Sequence, residues 1–169
     1  MAEREPLAEQ MLSDEAATVI PWADIRERIV NGSTHWLTTV RPDGRPHIVP
    51  VGVAWLDGAL YFTTGQGTRK GENLAHNPHC AIAVANGGFD IVVEGEAARV
   101  KDAAKLQRVA ELYAANGWPA TVGDGALDAP YSAPTTGPAP YDVYEMTPMV
   151  AYAFGTTDET APHPTRYRF

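Results

Sequence analysis

The sequence predicts a mainly β protein, an antiparallel barrel of six or seven short strands carrying three helices. Short alternating or apolar runs recur from Thr34 to Phe154. Turn signals separate them at Arg41-Pro42-Asp43-Gly44, Asp57-Gly58 and Asn86-Gly87-Gly88. Two stretches carry helical spacing, and a third short helix follows the Gly65–Gly71 loop. A chain of 169 residues is long enough for one domain with its own core. The expected organisation is an N-terminal arm at 1–20 and a single barrel domain at 21–169.

Taken in order, residues 1–20 are polar and charged without a clear period, which predicts a partly ordered arm or a short helix around Leu7 to Leu12. Pro21 opens a helix in which Trp22, Ile25 and Ile29 recur at three and four residues, and Asn31-Gly32 ends it. A strand follows from Thr34 to Val40. Proline fixes one angle and glycine tolerates a positive φ in Arg41-Pro42-Asp43-Gly44, so this strand forms a hairpin with Pro46 to Trp55. Asp57-Gly58 turns the chain into a third strand, Ala59 to Thr64. A short helix starting near Gly71 ends at Asn77-Pro78. The almost wholly apolar run His79 to Ala85 predicts a strand buried on both faces. Phe89 to Val100 alternates until Gly95, where a bulge is expected. Asp102 caps a helix defined by Leu106, Val109 and Tyr113 and closed by Asn116-Gly117. Residues 118–140 hold five prolines and predict an irregular loop; one this long in a compact domain is a lid, a partner contact or disorder. Tyr141 to Thr147 and Met149 to Phe154 predict two strands around Pro148, and Thr165 to Phe169 a last short one.

Composition narrows the function. Lys and Arg total 13 against 21 acidic residues, a net charge of −8, which argues against non-specific binding to nucleic acid or anionic lipid. Any anion must be recognised locally. The single cysteine, Cys80, lies in an apolar run and reads as a buried structural thiol. The five histidines are scattered without zinc spacing, so no metal is expected. No uncharged run reaches the roughly 18 residues of a membrane span, and Met1 to Gln10 is too charged for a signal peptide. The expectation is a soluble, cytoplasmic protein.

The most informative stretch runs from Tyr61 to Pro78. There a strand ends in a loop that offers Thr64, Thr68, Arg69 and Lys70 to one small volume. Arg presents a planar fork of donors and Lys a compact charge, a pairing suited to phosphate. Gly65, Gly67 and Gly71 let the backbone pass close to a ligand, and the following helix adds its positive N-terminal end. A solvated Arg-Lys pair on a surface turn is the alternative reading of the same residues.

Several local signals fall in a familiar order: Leu37-Thr38-Thr39-Val40-Arg41-Pro42-Asp43-Gly44-Arg45-Pro46-His47, then Leu60-Tyr61-Phe62-Thr63-Thr64, Thr68-Arg69-Lys70-Gly71-Glu72-Asn73-Leu74 with Asn77-Pro78, and Val93-Glu94-Gly95-Glu96-Ala97. Over residues 25–154 the chain resembles the pyridoxamine 5'-phosphate oxidase-like family of split β-barrels, which bind flavin mononucleotide (FMN) or the deazaflavin coenzyme F420. The closing Thr165-Arg166-Tyr167-Arg168-Phe169 also resembles the ending of some members. The resemblance implies an antiparallel split barrel of the FMN-binding type. It implies that Arg69 and Lys70 hold the cofactor phosphate with hydroxyl help from Thr64 and Thr68, and that the ring lies along His47, Ile48, Val49, Pro50 and Val51. It also implies a homodimer with cofactor sites at the interface, to which Arg166 and Arg168 reach from the partner chain. A half-buried His47 without chemistry and a plain surface pair at Arg166 and Arg168 are the competing readings.

One departure matters. True pyridoxamine phosphate oxidases carry Arg-x-x-Leu-Leu-Lys on the second strand, where this chain has His47-Ile48-Val49-Pro50-Val51-Gly52. The lost cations weaken the case for a phosphorylated vitamer. The resemblance then implies an oxidoreductase that uses F420 to pass a hydride to a small unsaturated acceptor. The alternatives are an FMN-dependent oxidoreductase on the same fold, or a non-catalytic flavin or haem binder in which His47, His76 or His79 serves as an axial ligand. The catalytic residue is unassigned; Tyr131, Tyr141 and His47 are the candidate proton donors.

Overall fold

The computed structural model describes residues 3–12, 18–133, 136–161 and 163–169. Its elements are β1 (Ala8–Met11), α1 (Trp22–Val30), β2 (His35–Val40), β3 (Pro46–Val51), β4 (Val53–Leu56), β5 (Ala59–Gly65), α2 (Arg69–His76), β6 (His79–Asn86), β7 (Phe89–Arg99), α3 (Ala103–Ala115), β8 (Thr121–Val122), β9 (Leu127–Asp128), β10 (Tyr141–Gly155) and β11 (Thr165–Arg168). Every pairing is antiparallel.

The ladder runs β3-β2-β6-β7-β10 and continues from β10 to β5 and from β5 to β4. The two ends of this path, β3 and β4, are consecutive in the chain and separated only by Gly52. The seven strands therefore close by covalent connection rather than by hydrogen bonds, and a seam opens along β3. Pro50 suits that place, because an edge strand tolerates a residue with no N–H.

Strand β10 makes the architecture possible. One edge of it pairs with β7 along most of its length. The other pairs with β5 through residues 141–146 and with β11 through 150–153. It is a single strand of 15 residues, where two strands around Pro148 were expected. Pro148 sits opposite Gly95, and the register slips between Pro148 and Val150. The irregularity thus lies at Gly95 as expected, but the extra residue, Met149, belongs to the partner strand. A Cβ on Gly95 would collide with the carbonyl oxygen of Thr147, so the strands can approach here only because position 95 is glycine.

Other expectations change in instructive ways. The strand buried on both faces is β5, not β6. Leu60 and Phe62 enter the main core beside Ile25, Leu37 and Ile82, whereas Tyr61 enters a second core with Leu106, Val109 and Val143 beneath α3. In β6 only Cys80, Ile82 and Val84 are buried; the alternate alanines are apolar but too small to require cover. The arm contributes a strand, β1, rather than a helix around Leu7 to Leu12. Four residues cannot sustain a helix, whereas the free edge of β11 offers backbone partners, including Arg168 O for Leu7 N at 2.6 Å. Glu9 from this arm also accepts a hydrogen bond from Trp22 N at 2.9 Å and so caps α1, whose Pro21 has no side-chain cap to offer. The 118–140 loop is not wholly irregular, since β8 and β9 pair between Pro119 and Pro130, where no proline interrupts. Asp102 caps α3 as expected, accepting from Lys105 N at 2.8 Å. Among the described residues no helix is long and apolar enough to cross a membrane.

Gly95→Ala should overpack the β7–β10 crossing and cost about 1–3 kcal/mol. The melting temperature should fall by about 2–4 °C per kcal/mol. A thermal melt equal to wild type would contradict the role given to Gly95.

Candidate functional site

The seam between β3 and the end of β5 opens into a cleft of about 890 Å³. Strand β3 supplies His47, Val49, Pro50 and Val51, and the loop into α2 supplies Thr68, Arg69 and Lys70. Seven of the residues singled out from the sequence therefore line one cavity. Helix α2 begins at Arg69, two residues before the expected start, which makes both cations part of its first turn. The first backbone hydrogen bond into the helix is Glu72 N to Thr68 O at 3.0 Å. The N–H groups of Arg69, Lys70 and Gly71 precede it and have no intrahelical acceptor, so the positive end of the helix coincides with the two side chains.

Lys70 is the unusual member. It is only 8% exposed, and burial alone depresses its pKa, with no carboxylate working in the opposite direction. The stem is buried while Lys70 lines the cleft, and a cation partly removed from water without an anion carries a cost that an anionic ligand would reduce. Arg69 differs: it is exposed and pairs with Glu72 at 2.9 Å. An exposed pair of this kind contributes about 0–1 kcal/mol and can be exchanged for a ligand.

Thr68 occupies the cap position of α2 without capping it. Its hydroxyl instead meets that of Thr64 at 2.5 Å, and Thr64 is fully buried beneath it. Thr64 therefore orients Thr68 rather than facing the cleft. Below them the buried Asn73 donates to Thr39 Oγ1 at 2.9 Å, which fastens α2 to β2. Thr39 stands opposite His47 in the β2–β3 ladder, so the anchor of the cations and the histidine belong to one rigid unit.

His47 lies under the same field. Its pKa is depressed, chiefly by burial and then by the charges of Arg41, Arg69 and Lys70. Its Nδ1 is buried and has no partner among the described residues. Arg41, a third cation near the histidine, was not singled out from the sequence; it opens the hairpin turn that was read for conformation rather than charge.

The glycines of the loop act in three different ways. Gly67 has φ +75°, a conformation suited to glycine. A Cβ on Gly71 would stand 3.3 Å from Thr64 Oγ1, so its absence admits the threonine pair. At Gly65 a Cβ would collide with the Thr136 carbonyl oxygen, so this glycine receives the long loop rather than a ligand. Thr136 and Gly137 thereby become walls of the cleft. No local pattern could have placed them there, because they lie some seventy residues from the cations in sequence. Ser33, Thr34, Gly52, Thr63, Gln66, Gly67 and Ala133 complete the lining.

Four of the expected site residues stand apart. Ile48 alternates away from its neighbours and is 57% exposed. Thr64 is the buried support just described. Arg166 and Arg168 lie on β11, outside the lining of the cleft, and Arg166 donates to Gln10 Oε1 at 2.5 Å.

The fold has many relatives. A conserved hypothetical protein of Mycobacterium tuberculosis superimposes with a TM-score of 0.67 at 20% identity, covering 89% of this chain and 94% of the other. A protein from Bacteroides thetaiotaomicron described as a putative 5-nitroimidazole antibiotic resistance protein gives 0.61 at 13% identity, with 95% and 88% covered. An F420 reductase gives 0.53 at 23% identity, with 75% and 94% covered. These likenesses concern the fold. No curated protein matches the sequence. The family described as Pyridoxamine 5'-phosphate oxidase matches residues 22–153, a span that includes the open seam, the threonine pair and the first turn of α2. The chain is a member of that family.

Proposed function

We propose that the protein is an oxidoreductase that binds F420 in the β3–α2 cleft, with FMN as the alternative cofactor. The observation that carries this reading is Lys70, a largely buried cation with no anion beside it among the described residues, at the start of a helix and beside Arg69 and Thr68. These residues would hold the phosphate. Val49 and Val51 would form an apolar wall for the ring, with the strand edge at Pro50 beside them, and the outward peptide groups of an edge strand would bond its polar rim. A bound reduced deazaflavin supplies a hydride to an unsaturated acceptor, which also takes up one proton from water or a protein acid. The protein's part is to orient the two rings and to limit water around them. His47, whose pKa burial and the nearby cations hold down, would gain a proton when an anion arrives. Oxidation of pyridoxamine phosphate does not suit this site, because the expected Arg and Lys of the second strand are replaced by His47 and Gly52.

The reading includes a homodimer, with the partner chain completing the cleft. Trp36 and Met149, 47% and 48% exposed, together with Ile48 leave apolar surface on the outside of the barrel. Sedimentation should give twice the monomer mass at micromolar concentration, and Arg166→Ala should weaken cofactor binding from across the interface. A monomer that binds cofactor at full affinity would remove the partner from the site.

Titration with F420 and with FMN tests the central assignment. Lys70→Ala should cost about 1.5–3 kcal/mol, or about tenfold or more in Kd. Unchanged affinity would show that the phosphate sits elsewhere. Oxygen-driven turnover with FMN but none with F420 would favour the alternative cofactor.

The pH dependence follows from His47. Its free-state pKa lies below the ordinary 6.5, so the imidazole is neutral near neutral pH. A phosphate nearby should raise that pKa, so binding takes up a proton. Affinity should therefore increase as pH falls from above the bound-state pKa to the free-state pKa, and then level off. NMR titration of the His47 ring should show the upward shift on binding; an unmoved pKa would place the anion away from it.

A further inference from the structure

A second cavity of about 300 Å³ adjoins the cleft, and the two share Gly52, Thr63, Ala133 and Thr136 as common walls. Its chemistry is opposite to that of the cationic end. Val53, Tyr113, Trp118, Asn116 and Ser132 supply the remaining lining, with no charged side chain among them. An ionic group entering here would lose water without meeting a counter-charge. A neutral one meets aromatic walls and an amide.

Those walls are held in place. The Tyr113 hydroxyl donates to the carbonyls of Gly52 and Tyr61, both at 3.1 Å, and so ties α3 to the seam. Trp118 packs edge-on against Tyr113 with ring centres 5.2 Å apart, and its Nε1 donates to Tyr131 O at 2.7 Å. Rings fixed in this way can receive a planar partner with little loss of freedom. The Asn116 side chain has no hydrogen bond among the described residues, whereas the Ser132 hydroxyl is already bonded to Gly137 O at 3.0 Å. Asn116 is therefore the available polar group for orienting a ligand.

We infer that this second cavity is the subsite for the acceptor, and that it takes a neutral, planar, one- or two-ring molecule bearing a hydrogen-bond acceptor for Asn116. Its role as an acceptor site rests on the proposed oxidoreductase function; its selectivity for neutral rings does not. The cavity meets the cleft at Gly52 and Thr63, so a molecule in it lies against one in the cleft without occupying the same volume.

Quinoline serves as a neutral probe and quinoline-4-carboxylate as its charged counterpart, each titrated by calorimetry and by NMR of the full-length protein. Quinoline should bind at least about tenfold more tightly than the carboxylate at this site and should shift the Trp118 indole N–H resonance. Trp118→Ala should weaken quinoline binding by about three- to tenfold. Because that change can loosen the 118–140 loop, Asn116→Ala provides a second test: quinoline affinity should fall by about threefold or more while FMN and F420 affinities stay at wild-type values. Absence of quinoline binding at millimolar concentration would overturn the inference. So would equal binding of the carboxylate in this cavity, competition between quinoline and the cofactor for one volume, or indifference to both substitutions. Quinoline binding that persists in a protein unable to bind either cofactor would uphold the neutral subsite and reject the oxidoreductase reading alone.

Discussion

A largely buried lysine at the wall of an open cleft, with no anion beside it among the described residues, is the constraint around which the site is arranged. Lys70 is buried at the first turn of α2, where the helix already concentrates positive potential; Glu72 in the same turn pairs with Arg69, and no carboxylate among the described residues pairs with Lys70. Fixing a cation there costs folding free energy, so the surrounding structure must hold it in place. The Asn73–Thr39 bond ties the helix to β2, and the Thr64–Thr68 pair shapes the turn that leads into it. Local strain or charge of this sort persists when neighbouring contacts over-determine the geometry, and such places cluster at ligand sites.

The barrel explains why an opening lies beside that cation. β3 and β4 are joined through Gly52 instead of by a ladder, so the sheet that would otherwise close leaves one strand edge free. β10 sustains the opening by pairing with β7 along one edge while dividing the other between β5 and β11. A fold with a seam thereby presents unpaired peptide groups to one side of a cavity and a helix N-terminus to the other. The contrast in polarity along that cavity, cations at one end and fixed aromatic rings at the other, suits a ligand with a charged tail and an acceptor without charge.

Much of this was legible in the sequence because it depends on local chemistry. Turn residues located the hairpins, three- and four-residue spacing located α1 and α3, Asn77-Pro78 located the end of α2, and the Thr68-Arg69-Lys70 run located the cations. What escaped depends on distant partners. Ala8–Met11 becomes a strand because β11 has a free edge, which no local pattern reveals. Apolar His79–Ala85 looked doubly buried because alanine counts as apolar even where it is only half-covered or exposed, whereas β5 is doubly buried because two cores meet on it. Gly65 suggested a close ligand but admits the Thr136 carbonyl, a contact set by the fold of a remote loop. Ile48 was grouped with its neighbours by proximity in sequence, although strand alternation turns it to the opposite face.

A crystal structure of the protein saturated with F420 tests the account most directly. One phosphate oxygen should lie within hydrogen-bonding distance, about 3 Å, of Lys70 Nζ, with the ring against Val49–Val51. A fully occupied ligand bound elsewhere, with Lys70 still lacking an anion, would contradict it.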